Sequence, residues 1–382
     1  MTHGIRSLFI VLLLWIAGLA CAMQFAKISV PFADIQSLYP GYGPSLGWLL
    51  SVVSLVGALA GAVAGGLAGR FGLLRVLVGG LALGGVVSLA QASLPSFGWM
   101  LLSRIIEGMS HLAIVIAAPT LIVQASAPRY RGAAMALWST FFGVAFALMA
   151  WFGPGFVARV GLEGLFVAHG LVMLALAALL AVLLRNLEVA IATPPPLRTV
   201  LRRAITAYGV PHLSTPAWGW LFYTLSFVSL LTLLPTLLPA VQRGWVTTAM
   251  PLVSIVVAMG LLPLALRRAS AVTLTILGFA LACGVLLLWP VLPLAVLSVM
   301  LFAALGLVQG GGFAAVPELN DRTEDQALAY GLMAQMGNVG NLTGTPILLA
   351  ILTWGGEAAL IASAATAFVG AILALFTLSR RM

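Results

Sequence analysis

The sequence SLFIVLLLWIAGLACAMQFAKISVPF, residues 7–32, decides the fold. It is apolar over almost its whole length and carries a single charge, that of Lys27. A helix needs roughly 20 apolar residues to cross about 30 Å of hydrocarbon, so this stretch predicts a membrane-spanning helix. The apolar run is longer than the core of a secretory signal peptide and lacks a clear small-x-small cleavage site, so we expect the span to be kept.

Similar stretches recur along nearly the whole chain of 382 residues. The composition is 62% hydrophobic and 7% charged, which leaves little sequence for a soluble domain. The sequence therefore predicts an all-α polytopic membrane protein. Its twelve predicted spans are 7–32, 46–69, 73–93, 97–126, 132–158, 162–185, 215–240, 246–266, 271–289, 292–316, 327–353 and 357–379.

The formal net charge of +9 comes mainly from arginines, and these lie almost entirely in alternate loops. If the N-terminus is cytoplasmic, the outer loops contain only Arg159 and Arg243. Because positive residues beside spans stay on the cytoplasmic side, we expect an inner-membrane protein with both termini in the cytoplasm. The basic balance then reflects topology and attraction to anionic lipid head groups rather than nucleic-acid binding. The inner loops contain Arg6, Arg70, Arg75, Arg129, Arg131, Arg185, Arg198, Arg202, Arg203, Arg267, Arg268, Arg322, Arg380 and Arg381.

The longest hydrophilic stretch, residues 186–212, divides the chain near its middle. After three prolines, apolar residues recur at helical spacing from Leu197, and three arginines lie on another face. This pattern predicts a short amphipathic helix on the cytoplasmic surface. The predicted organisation is a six-helix half over 1–185, a linker over 186–212 and a second six-helix half over 213–382.

Three local motifs accompany this layout. The first is GGLAGRFGLLR, residues 65–75, between spans 2 and 3, and the second is RIIEG, residues 104–108, in span 4. The third places Gly143 and the pair Gly153-Pro154 in span 5. On these residues the chain resembles the major facilitator superfamily over its full length. Residues 131–138, RGAAMALW, are similar to the cyanate and nitroimidazole permease branch of that family.

The resemblance implies a secondary transporter that works by alternating access, with substrate bound near mid-membrane, and we expect it to function as a monomer. The family's gating motif reads Gly-x-x-x-Asp-Arg-x-Gly-Arg-Arg/Lys, and Gly65, Arg70 and Gly72 match it. Gly69 replaces the usual acid, and leucines replace the basic pair that follows. The charge contacts by which this motif normally braces the two halves are therefore altered.

Span 4 places three ionisable residues on one helix face, since Arg104, Glu107 and His111 are spaced i, i+3 and i+7. At 1.5 Å per residue they lie about 10, 15 and 21 Å below the outer end of the span. Charges in a membrane usually face a cavity or a partner. We expect Glu107 and His111 to bind the coupling proton while Arg104 tunes them. One alternative is an Arg104–Glu107 pair that only neutralises itself between packed helices. Another is that these residues contact the substrate without taking part in proton transfer.

Lys27, the only lysine of the chain, lies near Gln24 in span 1. One interpretation is that it extends to the outer membrane interface. The other is that Lys27, Gln24 and Arg104 bind an anionic group of the substrate, because the first span lines the cavity in the family that the chain resembles. A kink at Pro31 would suit such a helix.

The second half contributes amides and hydroxyls rather than charges within its spans. Polar side chains can join helices, so helix packing is one interpretation, and an aromatic belt at the interface is another for span 7. The resemblance places these spans around the cavity and favours substrate binding. The predicted ligands are Gln309 in span 10, Gln335, Asn338 and Asn341 in span 11, and Tyr223 in span 7.

Enzyme motifs are not visible in the sequence, and no catalytic residue, cofactor or metal site is predicted. Cys21 and Cys283 both lie in spans and are interpreted as packing residues. His169, in span 6, is interpreted as structural. The sequence favours proton-coupled transport of a small anionic or zwitterionic organic solute. The alternative is proton-driven efflux of a metabolite, a metal chelator or a drug, which the glycine-proline pair of span 5 would favour.

Overall fold

A computed structural model describes residues 3–185 and 196–381 of the chain. Across these residues the backbone forms helices and turns, with no strand. Residues 186–195 of the predicted linker lie outside the described ranges. The helices up to the linker are α1 (His3–Ser29), α2 (Phe32–Leu38), α3 (Gly47–Ser51), α4 (Leu55–Phe71), α5 (Leu73–Gln91), α6 (Phe97–Ala125), α7 (Arg131–Ser139) and α8 (Phe141–Leu183).

After the gap, a short helix precedes the remaining spans. A π-helical turn, Val257–Leu261, makes α11 and α12 one continuous span of Ala240–Ala265. The helices are α9 (Leu197–Ala207), α10 (Pro211–Thr236), α11 (Ala240–Val256), α12 (Leu262–Ala265), α13 (Ala271–Leu287), α14 (Leu294–Leu319) and α15 (Thr323–Ser379).

Nine helices among the described residues are long and apolar enough to cross a membrane. Two of them, α8 and α15, are divided by glycines with positive φ, Gly161 at 72° and Gly356 at 74°. Glycine has no Cβ, so it adopts this backbone conformation without the steric cost that other residues would meet. With these two divisions and the shorter apolar helix α13, the described helices are consistent with the twelve predicted spans.

Most boundaries agree with the predicted spans to within a few residues, but span 8 begins at Ala240 rather than at 246, and three spans are interrupted. In span 2, a 3-10 turn, Val52–Ser54, separates α3 from α4. Span 1 ends at Ser29, and a separate helix begins at Phe32, immediately after Pro31. Proline lacks a backbone N–H and cannot continue the hydrogen-bond ladder of a helix, which explains the break. Span 5 is interrupted at Thr140, between α7 and α8.

The chain forms two compact units. The first contains residues 1–31 and 63–200, and the second contains residues 32–62 and 201–382. The predicted division into halves 1–185 and 213–382 stays a prediction, as does the cytoplasmic position of α9.

The first unit packs α1 and α5 against α6 and α8. Its hydrophobic core is built from fully buried side chains of all four helices, including Leu14, Leu77, Leu121 and Leu180. The second unit packs α10 against α15 and α13 against α14, and α3 lies against α15. A Cβ at Gly47 in α3 would lie 2.9 Å from Pro346 Cα, so a glycine is needed for this approach.

Candidate functional site

Three charged side chains lie buried together in the first unit. Lys27 Nζ on α1 is 2.8 Å from Glu107 Oε1 on α6, and Arg104 Nη1 pairs with the other carboxylate oxygen, Oε2. All three side chains are 0% exposed. Desolvating such charges is costly unless good geometry and further hydrogen bonds compensate them. The structure thus joins Lys27, Arg104 and Glu107 in one ion-pair triad.

Polar side chains of α5 complete the surroundings of the triad. Lys27 Nζ donates to Gln91 Oε1 at 2.7 Å and to Ser88 Oγ at 2.9 Å. Gln91 Nε2 in turn donates to Glu107 Oε2 at 2.9 Å, so one amide contacts both members of the ion pair. The ring of Phe166 lies 5.2 Å from the ammonium, within the range of a cation–π contact.

His169, in the second part of α8, also contacts this triad. Its Nδ1 is 2.9 Å from Ser88 Oγ and 3.4 Å from Lys27 Nζ, and its Nε2 is 2.9 Å from the carbonyl oxygen of Ala20. Since a carbonyl only accepts, Nε2 carries the proton of a neutral ring and Nδ1 is an acceptor. The sequence interpretation of His169 as structural did not include this contact, and it did not select Ser88 or Gln91.

His111 has different partners from the other ionisable residues of its helix. Its Nδ1 is 3.1 Å from Cys21 Sγ, and its ring packs edge-on against Phe25 with centroids 5.1 Å apart. Of the predicted stripe, the structure therefore brings Arg104 and Glu107 together, and it places His111 beside Cys21. The role of His111 in proton coupling stays a prediction.

Gln24 and Lys27 lie on α1, and both are 0% exposed. Gln24 Nε2 donates to Ser110 Oγ at 2.9 Å. A Cβ at Gly84 would lie 2.8 Å from that amide nitrogen, so the glycine leaves room for Gln24. Lys27 does not extend to an interface in this structure, because its ammonium is bound to Glu107.

In the second unit, Tyr223 and Gln309 share a partly buried hydrogen-bond group. Tyr223 Oη donates to Gln309 Oε1 at 3.2 Å, and Ser254 Oγ donates to the same oxygen at 3.2 Å. Tyr223 is 4% exposed and stacks on Trp220, with ring centroids 4.6 Å apart. Its role as a substrate ligand stays a prediction.

The three predicted amides of α15 have different partners, and Gln335 contacts α4. Gln335 Nε2 donates to the Ala58 carbonyl oxygen at 2.9 Å, and Tyr208 Oη donates to Gln335 Oε1 at 2.8 Å. Asn338 Nδ2 donates to the carbonyl oxygen of Ala334 at 2.8 Å. Asn341 Oδ1 is buried and has no hydrogen-bond partner within the described part of the chain. Substrate binding by these amides also stays a prediction.

The predicted gating motif lies where α4 meets α5. Gly65 and Arg70 are in α4, and the side chain of Arg70 lies outside what the structure describes. Gly72 joins the two helices with φ at 86°. The gating role of these three residues stays a prediction.

Comparison with known proteins agrees with this fold. The chain is similar to a bacterial homologue of the human lysosomal transporter Spinster, solved in an inward-facing and unoccupied conformation. The TM-score is 0.67 at 14% sequence identity, and the match covers 98% of this chain and 95% of that one. No curated protein matches the chain.

The family model of the Major Facilitator Superfamily matches residues 10–321, which is most of the chain. This range includes most of α1 and the whole of α5, α6 and α8, the four helices that hold the buried triad and its polar partners. The apolar helices make the protein an integral membrane protein, and the family is one of transporters rather than enzymes. The chain belongs to the Major Facilitator Superfamily of membrane transporters.

Proposed function

We propose that the protein is a proton-coupled secondary transporter of a small anionic or zwitterionic organic solute, acting in the bacterial inner membrane with both termini in the cytoplasm. The observation that carries the proposal is the buried triad. Among the described residues, Lys27 and Arg104 both form an ion pair with the carboxylate of Glu107.

The charge of this triad favours an anionic partner. With Lys27 and Arg104 protonated and Glu107 ionised, two positive charges accompany one negative charge inside the first unit. A charge within the bilayer is unfavourable unless it is paired, so an entering anion lowers the free energy of the group. An anion is therefore the solute class that this arrangement of charges favours most.

The same triad supplies a proton site. If Glu107 takes up a proton, its attraction for Lys27 is lost and the ammonium becomes available to a carboxylate or other anion of the solute. Protonation of Glu107 and binding of the anion to Lys27 thus favour one another, which is the thermodynamic basis of coupled movement in one direction. We propose Glu107 as the proton-binding group and Lys27 as the anion-binding group, with Arg104 tuning both.

Burial of the triad supports alternating access. All three side chains are 0% exposed, so a solute reaches Lys27 only after the surrounding helices move. A transporter needs such movement to expose its site to one side of the membrane at a time.

The proposal is tested with purified protein in liposomes that contain a pH-sensitive dye. Small organic acids, zwitterions and lipophilic cations are added in turn, and Glu107→Gln is assayed beside the native protein. We expect an anion or zwitterion to drive proton movement with the native protein and not with Glu107→Gln. Proton movement driven only by lipophilic cations would overturn the anion proposal in favour of efflux. Solute movement without protons would overturn the coupling.

A further inference from the structure

Gln91 is a buried amide that the proposed function does not use. It lies on α5 and is 0% exposed. Its Oε1 accepts from Lys27 Nζ at 2.7 Å, while its Nε2 donates to Glu107 Oε2 at 2.9 Å and to Ser103 Oγ at 3.0 Å. These bonds fix the orientation of the amide, because only its oxygen can accept from an ammonium.

The two oxygens of the Glu107 carboxylate have unequal numbers of donors. Oε2 accepts from Gln91 Nε2 and from Arg104 Nη1, whereas Oε1 accepts from Lys27 Nζ alone among the described residues. A carboxylate oxygen has two lone pairs, so these donors fill both pairs of Oε2 and only one pair of Oε1. A proton can therefore bind at Oε1 without displacing a donor. At Oε2 it would have to displace Gln91 or Arg104.

Protonation at Oε1 has a different consequence for each partner of Glu107. Oε2 becomes the carbonyl oxygen of a carboxylic acid and still accepts from Gln91 and Arg104. Oε1 becomes a hydroxyl oxygen without negative charge, so the ion pair with Lys27 is lost. The other two protons of the ammonium stay bound, because Gln91 Oε1 and Ser88 Oγ remain their acceptors.

We propose that Gln91 is a positioning residue that directs the coupling proton to Oε1 of Glu107. Because Gln91 occupies Oε2, proton uptake releases Lys27 rather than Arg104. In this step a hydronium ion gives up its proton, and one O–H bond forms at Oε1. The single N–H of Lys27 that is freed then donates to an oxygen of the solute, while Ser88 and Gln91 hold the ammonium on α5.

This inference rests on the proposed function and deepens it, because it names the oxygen that binds the proton and the group that replaces this oxygen at Lys27. Each proton taken up frees one N–H of the ammonium. The solute group that fits this site is therefore a single anionic oxygen group, such as one carboxylate, and it moves with one proton.

A test of this inference needs a signal from the Glu107 carboxyl itself, because several other ionisable groups interact with it. The infrared C=O stretch of a protonated carboxylic acid provides that signal, since its frequency falls when the carbonyl oxygen accepts a hydrogen bond. The other ionisable groups are Lys27 and Cys21 from α1, Arg104 and His111 from α6, and His169 from α8.

The direct test is infrared difference spectroscopy of the purified protein between neutral and acidic pH. The signal of Glu107 is identified by its loss in Glu107→Gln and its displacement in Glu107→Asp. We expect Gln91→Met to raise the C=O frequency, because the carbonyl oxygen Oε2 then loses a donor. Ser103→Ala is the control, since it removes the other bond of the same amide nitrogen and should change this frequency less.

A C=O frequency of Glu107 that Gln91→Met leaves unchanged would overturn the inference, because the carbonyl oxygen would then not be the one that Gln91 contacts. A native protein in which Glu107 gives no protonated signal at any pH at which it transports would instead contradict the proposed function. The two failures are distinct, and the spectrum needs no substrate.

Transport gives the second test. In Gln91→Met the proton can bind at either oxygen of Glu107, so proton uptake no longer always frees Lys27. We expect the KM for the solute at acidic pH to rise by about 10-fold, the size of one hydrogen bond to a charged group, while the maximal rate of solute exchange changes less. A fall in the maximal rate with an unchanged KM would mean a purely structural role and would overturn the inference.

Discussion

Lys27 Nζ and Glu107 Oε1 lie 2.8 Å apart although 80 residues separate them along the chain, and both side chains are fully buried. The pair joins α1 to α6 inside the first unit. Arg104 adds a second cation to the same carboxylate. The stability of this unit should therefore depend on the balance of charge as well as on packing.

We expect Glu107→Gln to destabilise the protein more than Lys27→Met. The glutamine variant leaves two buried cations without their carboxylate, and removing one partner of a buried ion pair costs about 3–5 kcal/mol. The methionine variant keeps the Arg104–Glu107 pair. The measurement is the thermal unfolding temperature of each variant in detergent, which we expect to be lower for Glu107→Gln than for Lys27→Met.

The double variant Lys27→Met/Glu107→Gln is the control for this interpretation. It removes one of the two cations as well as the carboxylate, so it should unfold at a higher temperature than Glu107→Gln alone. A lower unfolding temperature for the double variant would argue against charge balance as the cause.

The contact between α10 and α15 predicts a requirement for glycine at position 340. A Cβ there would lie 2.8 Å from Leu225 N, with the Leu221 carbonyl oxygen also in its way. Overpacking of this kind costs about 1–3 kcal/mol, so Gly340→Ala should lower the unfolding temperature. Gly284→Ala on α13 is the matched control, because nothing lies within 4 Å of its added Cβ. Equal effects of the two substitutions would refute the close approach.

Tyr208 predicts a pH dependence outside the membrane spans. Burial raises the pKa of Tyr208 to about 12, above its ordinary value of 10. The unfolded chain ionises first as pH rises, so the contribution of Tyr208 to stability is fully present below pH 10 and is lost as pH passes through about 12. Tyr208→Phe should reduce the fall in free energy of unfolding across that interval.

The reduction should be partial, because burial also raises the pKa of Tyr39 to about 12. At pH 8 the same variant loses the hydrogen bond to Gln335 Oε1, worth about 1 kcal/mol. Denaturant unfolding at a series of pH values measures both effects. Identical curves for native and variant protein above pH 10 would contradict the assignment.

The two predicted proton groups of α6 should differ in importance. Glu107 pairs with Lys27 and Arg104, whereas His111 Nδ1 contacts Cys21 Sγ. We therefore expect Glu107→Gln to reduce the number of protons moved per solute more than His111→Asn does. The measurement is paired recording of solute and proton fluxes in liposomes. A larger loss in His111→Asn would shift the proton site toward Cys21 and His111.

The fold was predictable because membrane spans are a local property of the sequence. Twenty apolar residues define a span whatever they pack against, so the boundaries of α5 and α6 could be placed within about three residues. Interruptions of the helices were harder to predict from the sequence. The division at Pro31 follows from its missing N–H, but the interruption at Thr140 has no comparable signal in the sequence.

The site was predictable only in part, because its contacts join distant helices. Arg104 and Glu107 share a helix, and their i, i+3 spacing predicts their pairing. Lys27 could be identified as a candidate but not assigned to Glu107, since helix spacing carries no information about a partner on α6. Ser88 and Gln91 are separated by three residues on α5, a pattern that could have indicated a polar face. His169 was missed because a single histidine in an apolar span fits packing equally well.

The central claim is that Glu107 binds the coupling proton, and it is tested most directly with the solute identified in the liposome screen. Labelled solute is followed in two modes for native protein and Glu107→Gln: exchange at equal pH, and net uptake driven by a pH gradient. The account predicts that the native protein does both, and that Glu107→Gln exchanges solute but no longer responds to the gradient. Net uptake by Glu107→Gln that follows the pH gradient as in the native protein would contradict it.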